Sequence, residues 1–452
     1  MPQDPQNLKV LLIGGGGREH AIAWKLAESP LVSHVFCAPG NAGTAHEPFV
    51  TNLDTVAEER PFDPKNPQDV LLLARRLKAD LVVVGPEDPL AAGVTDVLTE
   101  AGLRVFGPTR SAARLESSKS FAKAFMSRHR IPTARFEVAE TPQSAISAVN
   151  RFGTPVVVKA DGLAAGKGVT VAPDRSAAEL SIHEAMEESA FGEAGRRVVI
   201  EEYLEGQEVS VLGITDGDTV LPFPPAQDHK RVFSGDSGPN TGGMGAYCPA
   251  PVLGPAGQDF VRSHVLEPTI RAMAAEGAPF RGVLYAGLML TRDGPRVLEF
   301  NCRFGDPETQ VILPLLNDDL AELMMAVAAG SGLRRRARAR DRDRGLDLSP
   351  RSAVCVVMAS GGYPGRYETG KVIDGLEVAS VRSGVKIFHA GTKVTGRGRV
   401  VTSGGRVLNV VATAPTLAAA VKEAYKAVAL IRFEGAHFRT DIAARALSGS
   451  GG

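Results

Sequence analysis

The chain opens on a nearly unbroken apolar run, Leu8-Lys9-Val10-Leu11-Leu12-Ile13. Four glycines, Gly14 to Gly17, follow it, and then a stretch from His20 to Leu26 with apolar positions at helical spacing. An apolar run bounded by turn residues reads as a buried strand, and the 3.6-residue period after it as a helix laid against that strand. The same alternation continues with a strand over about 32–37, a helix through Val70, Leu71, Leu72 and Leu77, and a strand at Leu81–Val84 that ends in Gly85-Pro86-Glu87. Strands alternating with helices predict a doubly wound parallel sheet with its ligands at the strand carboxyl ends. Val105-Phe106-Gly107-Pro108 closes this unit.

Past a helix around Ser117–Met126 the texture changes. Val156-Val157-Val158-Lys159 and Val169-Thr170-Val171 flank a glycine-rich segment, which predicts a hairpin with a long mobile tip. Strands at Val198–Glu201, Val209–Ile214, Leu284–Leu290 and Val297–Phe300 make the middle of the chain α+β, while the Pro- and Gly-rich stretch 222–251 reads as loop. Seven arginines alternate with Ala and Asp over 334–344, which reads as a solvated spacer or charged helix, with a polyanion patch as the competing reading. Ala353–Ala359, Lys386–His389 and Val407–Val411 predict a last, β-rich domain finished by a helix over about 416–431. No internal repeat of 20 to 50 residues is visible.

Composition narrows the field. At 452 residues with 44% hydrophobic and 23% charged positions, the chain can bury several cores. Lys plus Arg equals Asp plus Glu at 51 each, which removes the broad basic field of a nucleic-acid or anionic-membrane binder. The four cysteines are scattered without a C-x-x-C pair, so neither a disulfide framework nor a thiolate metal site is expected. The first residues, Met1–Lys9, have no charged n-region followed by a long apolar stretch, and no run approaches the ~18 apolar residues of a membrane span. A cytoplasmic location is the expectation.

Five constellations carry chemistry. Gly14–Gly17 before a helix offers free backbone N–H groups and a helix dipole to an anion. The dinucleotide spacing G-x-G-x-x-G fails there, because Glu19 or His20 stands at the third glycine. A small phosphorylated metabolite or a plain tight turn remains. Lys159 and the 162–168 loop, with Gly162, Gly166, Lys167 and Gly168, depart from a Walker A spacing and suggest a flap over phosphates, or an ordinary flexible turn. Glu201, Glu202, Tyr203 and Leu204 can line a planar base, with Glu208 beside a ribose; solvated acids at a strand end are the bland alternative. In Val297–Gln310, strand alternation puts Glu299, Asn301 and Arg303 on one side and Leu298 and Phe300 on the other. A carboxylate and an amide oxygen suit magnesium, and a guanidinium suits a carboxylate. Gln227–Arg231 and Pro239–Gly245 read as a substrate-contacting loop pair.

In order, GGGGREHA at 14–21, APGNAGT at 38–44, VVGPEDPL at 83–90, VVKADGLAAGKGV at 157–169, QDHKR at 227–231, GPNTGGMGAY at 238–247, YAGLML at 285–290 and LEFNCRFGDPETQ at 298–310 resemble the glycinamide ribonucleotide synthetase family of ATP-grasp ligases. That resemblance implies ligation of glycine to 5-phosphoribosylamine through a glycyl phosphate, with ATP and magnesium or manganese. It implies metal ligands at Glu299 and Asn301. It implies an ATP site at Lys119, Lys159, the 162–168 loop, Glu201 to Leu204 and Glu208. Gly15, Gly16, Asn41, Glu87, Asp228 and, at the margin, Lys371 would meet phosphoribosylamine, with Arg303 taking the glycine carboxylate. Arg303, Asp228 and Lys159 are the expected catalytic groups.

The expected architecture is α/β and α+β multidomain: an N-terminal doubly wound substrate domain at 1–112, a central ATP-grasp region at 113–333 with a lid at about 134–203, a charged linker at 334–350 and a small C-terminal domain at 351–452. A monomer without nucleic-acid or membrane partners is expected. YAGLML has no acid where many ATP-grasp enzymes place one, so few protein ligands on the metal are expected. Another ATP-grasp ligase or carboxylase and a non-catalytic ATP-binding protein are the rival readings.

Overall fold

The computed structural model describes residues 7–57, 60–163, 168–187, 195–334 and 345–448. The amino-terminal sheet is parallel, in the order Val50–Asn52, Val32–Pro39, Leu8–Gly14, Leu81–Val84, Val105–Phe106. Its central strand is buried throughout Val10–Ile13, as a strand covered on both faces must be. Because the first strand lies between the second and the Leu81–Val84 strand, the connections diverge on either side of it. The turns Gly14–Gly17, Gly40–Asn41 and Gly85–Glu87 therefore meet at one carboxyl edge, the place where such sheets bind ligands.

A four-stranded antiparallel sheet follows, ordered Val169–Ala172, Val156–Ala160, Val198–Glu202, Phe136–Ala139. Val156, Val158, Ala160, Val198 and Ile200 pack with residues of helices Pro142–Phe152 and Arg175–Met186 into one small core. Opposite residues on neighbouring strands share a face, so Lys159 paired with Val199 and Val157 paired with Glu201 occupy the other side. A second antiparallel sheet, Val220–Pro222, Gln207–Thr215, Gly282–Thr291, Gly294–Asn301, faces it across the cleft through Lys159 and Leu298.

The last sheet corrects the reading of 222–251 as loop. Gln227–Asp228 and Gly245–Cys248 are strands, and they form one edge of a five-stranded sheet continued by Ser352–Ala359, Arg406–Ala414 and Val385–His389. Arg231–Phe233 pairs with Ser237–Asn240 as a separate hairpin. Gly245–Cys248 is buried at every position, because its partner Ser352–Ala359 is an apolar strand more than a hundred residues away. Pro and Gly mark the turns around these short strands, which hid them from a local reading. Helix Leu417–Val428, capped by Thr416, covers this sheet. The arginine-rich stretch 335–344 lies outside the described residues. No helix among the described residues is long and apolar enough to cross a membrane.

Candidate active site

The site begins at the strand Gly294–Asn301. A bulge opposite Gly287–Leu288 leaves Leu298 unpaired, with Gly287 facing Glu299 and Leu288 facing Val297. Leu298 is accordingly half-buried, not a core residue as strict alternation predicts, and its carbonyl accepts a hydrogen bond from Lys159 Nζ at 3.0 Å. Beyond the bulge the alternation resumes: Phe300 enters the core while Glu299 and Asn301 share the opposite face. Burial alone would raise the Glu299 carboxyl, but Lys230, Lys159, Lys119 and Arg303 more than offset it and hold the carboxyl below its ordinary range. One carboxylate thus faces four cations.

Each cation is positioned by a different element. Lys119, in the first turn of helix Lys119–Arg128, donates to the Gly162 carbonyl at 2.7 Å, at the base of the hairpin tip. Lys159 Nζ lies 2.9 Å from Glu201 Oε1, and Lys230 lies 2.5 Å from Glu208. Gly168 closes the base of the hairpin, its carbonyl accepting from the Ala160 N–H. Gly166 and Lys167 lie outside the described residues. Glu202 is paired with Arg135 at 2.6 Å at the surface, Tyr203 is exposed, and Leu204 is half-buried.

Arg303 is surrounded by protein acceptors. Its Nε lies 3.1 Å from Glu87, one terminal nitrogen donates to the Phe304 carbonyl at 3.2 Å, and the other lies 3.3 Å from Asn301 Oδ1 and 3.1 Å from Glu116. Glu87, at the start of helix Glu87–Ala92, would be raised by burial, but Arg303 and Arg18 bring its carboxyl down to about 2. Glu116 keeps its desolvation penalty and the repulsion of Glu87, and stands at about 7 despite Arg303. Asp228, on its short strand, is likewise pushed up by burial and by Glu308 and Glu208, with Lys230 pulling against them, to about 7. Glu308 itself accepts from Tyr285 at 3.0 Å and from Ser210 at 3.2 Å.

At the glycine turn, the N–H of Gly16 is not free, contrary to the open cradle expected from sequence. Glu19 reaches back across the first helical turn and accepts it at 2.7 Å, because a helix amino terminus attracts the nearest carboxylate. Gly15 lies against the next strand end, where an added Cβ would sit 2.4 Å from the Gly40 carbonyl oxygen. The Asn41 amide is fully engaged: its nitrogen donates to the carbonyls of Gly15 at 2.9 Å and His389 at 2.8 Å, and its oxygen accepts from Gly43 and Thr44. It braces the turn and ties it to the last domain. Lys371 lies apart from these residues, paired with Glu368 and Glu434 at 3.0 Å each.

Lys123, Glu116, Arg18 and Glu308 belong to this constellation and were not singled out by sequence. Only Lys123 left a readable trace, four residues after Lys119 and hence on the same helix face, beside the buried Ala122 and Met126. The others acquire meaning from partners far along the chain.

Three family models of phosphoribosylglycinamide synthetase match the chain: the N domain over residues 8–116, the ATP-grasp (A) domain over 117–309 and the C domain over 353–445. The chain is 48% identical to the phosphoribosylamine–glycine ligase of Salmonella typhimurium, across 97% of its own length and 99% of that protein. It is 52% identical to the trifunctional purine biosynthetic protein adenosine-3 of Gallus gallus, of whose length it spans 42%. Among solved structures, phosphoribosylamine–glycine ligase from Thermotoga maritima superimposes with a TM-score of 0.81 at 34% identity, covering 96% of this chain and 100% of that one.

Proposed function

The chain belongs to the phosphoribosylglycinamide synthetase family of ATP-dependent ligases, and on that premise we propose that its cleft joins glycine to 5-phosphoribosylamine through a glycyl phosphate, releasing ADP and phosphate. One observation carries the reading: Lys119, Lys159, Lys230 and Arg303 converge on Glu299, cationic groups of the kind that a triphosphate and an incoming carboxylate require. Attack of one anion on another is slow until fixed charges neutralise both, so most of the catalysis is positioning and electrostatics. Lys119 and Lys159 hold the phosphates from two sides, while the apolar face with Val157 and Val199 and the main chain of Glu201–Leu204 take the base. Glu208, freed from Lys230, would accept the ribose hydroxyls.

Glu299 and Asn301 fit magnesium or manganese: an ionised carboxylate and an amide oxygen are hard donors. Among the described residues no group of three His, Cys, Asp or Glu is placed to hold a metal. Two protein donors would leave the remaining coordination positions to the nucleotide and water, and the bound ion would add charge at the phosphate oxygens. Arg303 receives the glycine carboxylate by exchanging one of its present acceptors. Phosphoribosylamine docks at the edge formed by Gly15, Gly16 and Glu87, with Asn41 holding Gly15 in place. Asp228 accepts the proton that the attacking amine loses as the new C–N bond forms and phosphate departs. Lys371, in the last domain, would meet phosphoribosylamine only on release from Glu368 and Glu434.

The division of labour follows: 1–112 for the sugar substrate, 113–333 for ATP with the lid at about 134–203, 334–350 as linker and 351–452 closing over the amino-terminal domain. We take the enzyme to work as a cytoplasmic monomer on small molecules, without nucleic-acid or membrane partners; the balanced charge supports only the last of these. The test is ADP release measured with glycine and freshly prepared phosphoribosylamine, each omitted in turn. Bicarbonate-dependent turnover without glycine overturns the reading in favour of a carboxylase.

A further inference from the structure

We propose that Lys123 is a positioning residue that keeps the charge of Lys159 available to the nucleotide by taking up the charge of Glu201. Lys123 is 2% exposed, and its Nζ lies 2.7 Å from Glu201 Oε2 and 2.8 Å from Thr133 Oγ1. The other Glu201 oxygen lies 2.9 Å from Lys159 Nζ. Thr133 in turn donates to the Val297 carbonyl at 2.6 Å, on the strand that bears Glu299 and Asn301. A single buried carboxylate therefore sits between two ammonium groups. One ammonium points to the protein interior and the other stands at the cleft.

Charge counting gives this arrangement its meaning. With both lysines present, Glu201 leaves one net positive charge on the trio. Without Lys123 the carboxylate and Lys159 cancel, and a polyphosphate meets a neutral pair in a low-dielectric site where a lost charge matters most. Lys159 also donates to the Leu298 carbonyl at 3.0 Å, which fixes one of its three N–H directions, while its contact with Glu201 Oε1 is a charge pairing without hydrogen-bond alignment. Lys119 and Lys123, four residues apart on one helix face, hold the hairpin base at Gly162 and the neighbouring strand at Glu201, so the same helix sets both contacts.

The inference rests on Lys159 being an ATP ligand, and the experiment separates the two claims. KM for ATP, glycine and phosphoribosylamine is measured with kcat and thermal midpoint in Lys123→Met, Lys123→Arg, Lys159→Met and the double variant Lys123→Met/Glu201→Gln. Lys123→Met is expected to raise KM for ATP at least tenfold with KM for the other two substrates within about threefold. Lys123→Arg, which keeps the charge, should recover most of that loss. The double variant, which restores one net positive charge by removing the carboxylate as well, should return KM for ATP to within about threefold of the parent whatever its thermal midpoint. Should Lys123→Met not fold, Lys123→Arg and the double variant still decide the matter through the same KM values. A raised KM in Lys159→Met beside an unchanged one in Lys123→Met, an equal rise for all three substrates, or a double variant no better than the single overturns the inference alone. An unchanged KM for ATP in Lys159→Met overturns the ATP-site reading together with it.

Discussion

Gly15→Ala tests the docking edge of the amino-terminal sheet at a single methyl group. Gly15 has no left-handed backbone requirement, so its need for glycine is steric: an added Cβ would stand 2.4 Å from the Gly40 oxygen, 3.1 Å from its carbonyl carbon and 3.3 Å from its nitrogen. Ordinary contact begins near ~3.5 Å, so the overlap is about 1 Å. The atoms met are backbone atoms that cannot rotate away. The Gly40 N–H bonds the Gly14 carbonyl at 3.1 Å, and Asn41 anchors both Gly15 and His389, so the two strand ends must separate or tilt. Overpacking of this kind costs roughly 1–3 kcal/mol. If the strain falls on the substrate-bound form, KM for phosphoribosylamine rises roughly 5- to 150-fold at ~1.4 kcal/mol per decade. The ATP residues lie on other elements, so KM for ATP should stay within about twofold. Steady-state ADP release with each substrate varied in turn gives all three constants. An unaltered KM for phosphoribosylamine in a folded Gly15→Ala enzyme, or an equal rise for ATP, refutes the placement of the sugar substrate at this edge.

Glu299→Ala should abolish ligation while leaving the far-ultraviolet circular dichroism of the parent; retained turnover would remove Glu299 from the metal and phosphate site. With Asp228 raised to about 7, the rate of the amine step should fall as pH drops through that value, because the base must be unprotonated, and Asp228→Asn should flatten the limb. Phe300, 2% exposed in the largest core, should cost about 3–5 kcal/mol as Phe300→Ala in urea unfolding; a loss under ~1 kcal/mol would show that the strand is not anchored there. His20 and His389 meet at the contact between the first and last domains, where the His389 N–H donates to the His20 ring at 2.8 Å, and burial holds both imidazoles below the ordinary 6.5. The unfolded chain binds these protons near 6.5 and the folded chain does not. The stabilisation is therefore full above that value and lost as pH falls below it. Urea midpoints at pH 7.5 and 5.5 should differ in that direction, and a flat profile would contradict the assignment.

Local pattern was enough wherever one segment defines its own environment. The parallel amino-terminal sheet followed from apolar runs and turn residues, the Val156–Ala172 hairpin from its flanks, and the shared face of Glu299 and Asn301 from the two-residue period of a strand. Tertiary structure alone decided what each charged group does. Glu19 fills the helix start that looked open, Arg303 meets Glu87 and Glu116 from two distant segments, and Lys123 reaches Glu201 far along the chain. Gly245–Cys248 becomes an inner strand only because Ser352–Ala359 lies beside it. Backbone periodicity is a property of neighbouring residues, whereas burial, pairing and charge depend on which remote segments fold against them, and a one-dimensional pattern holds no record of that distance.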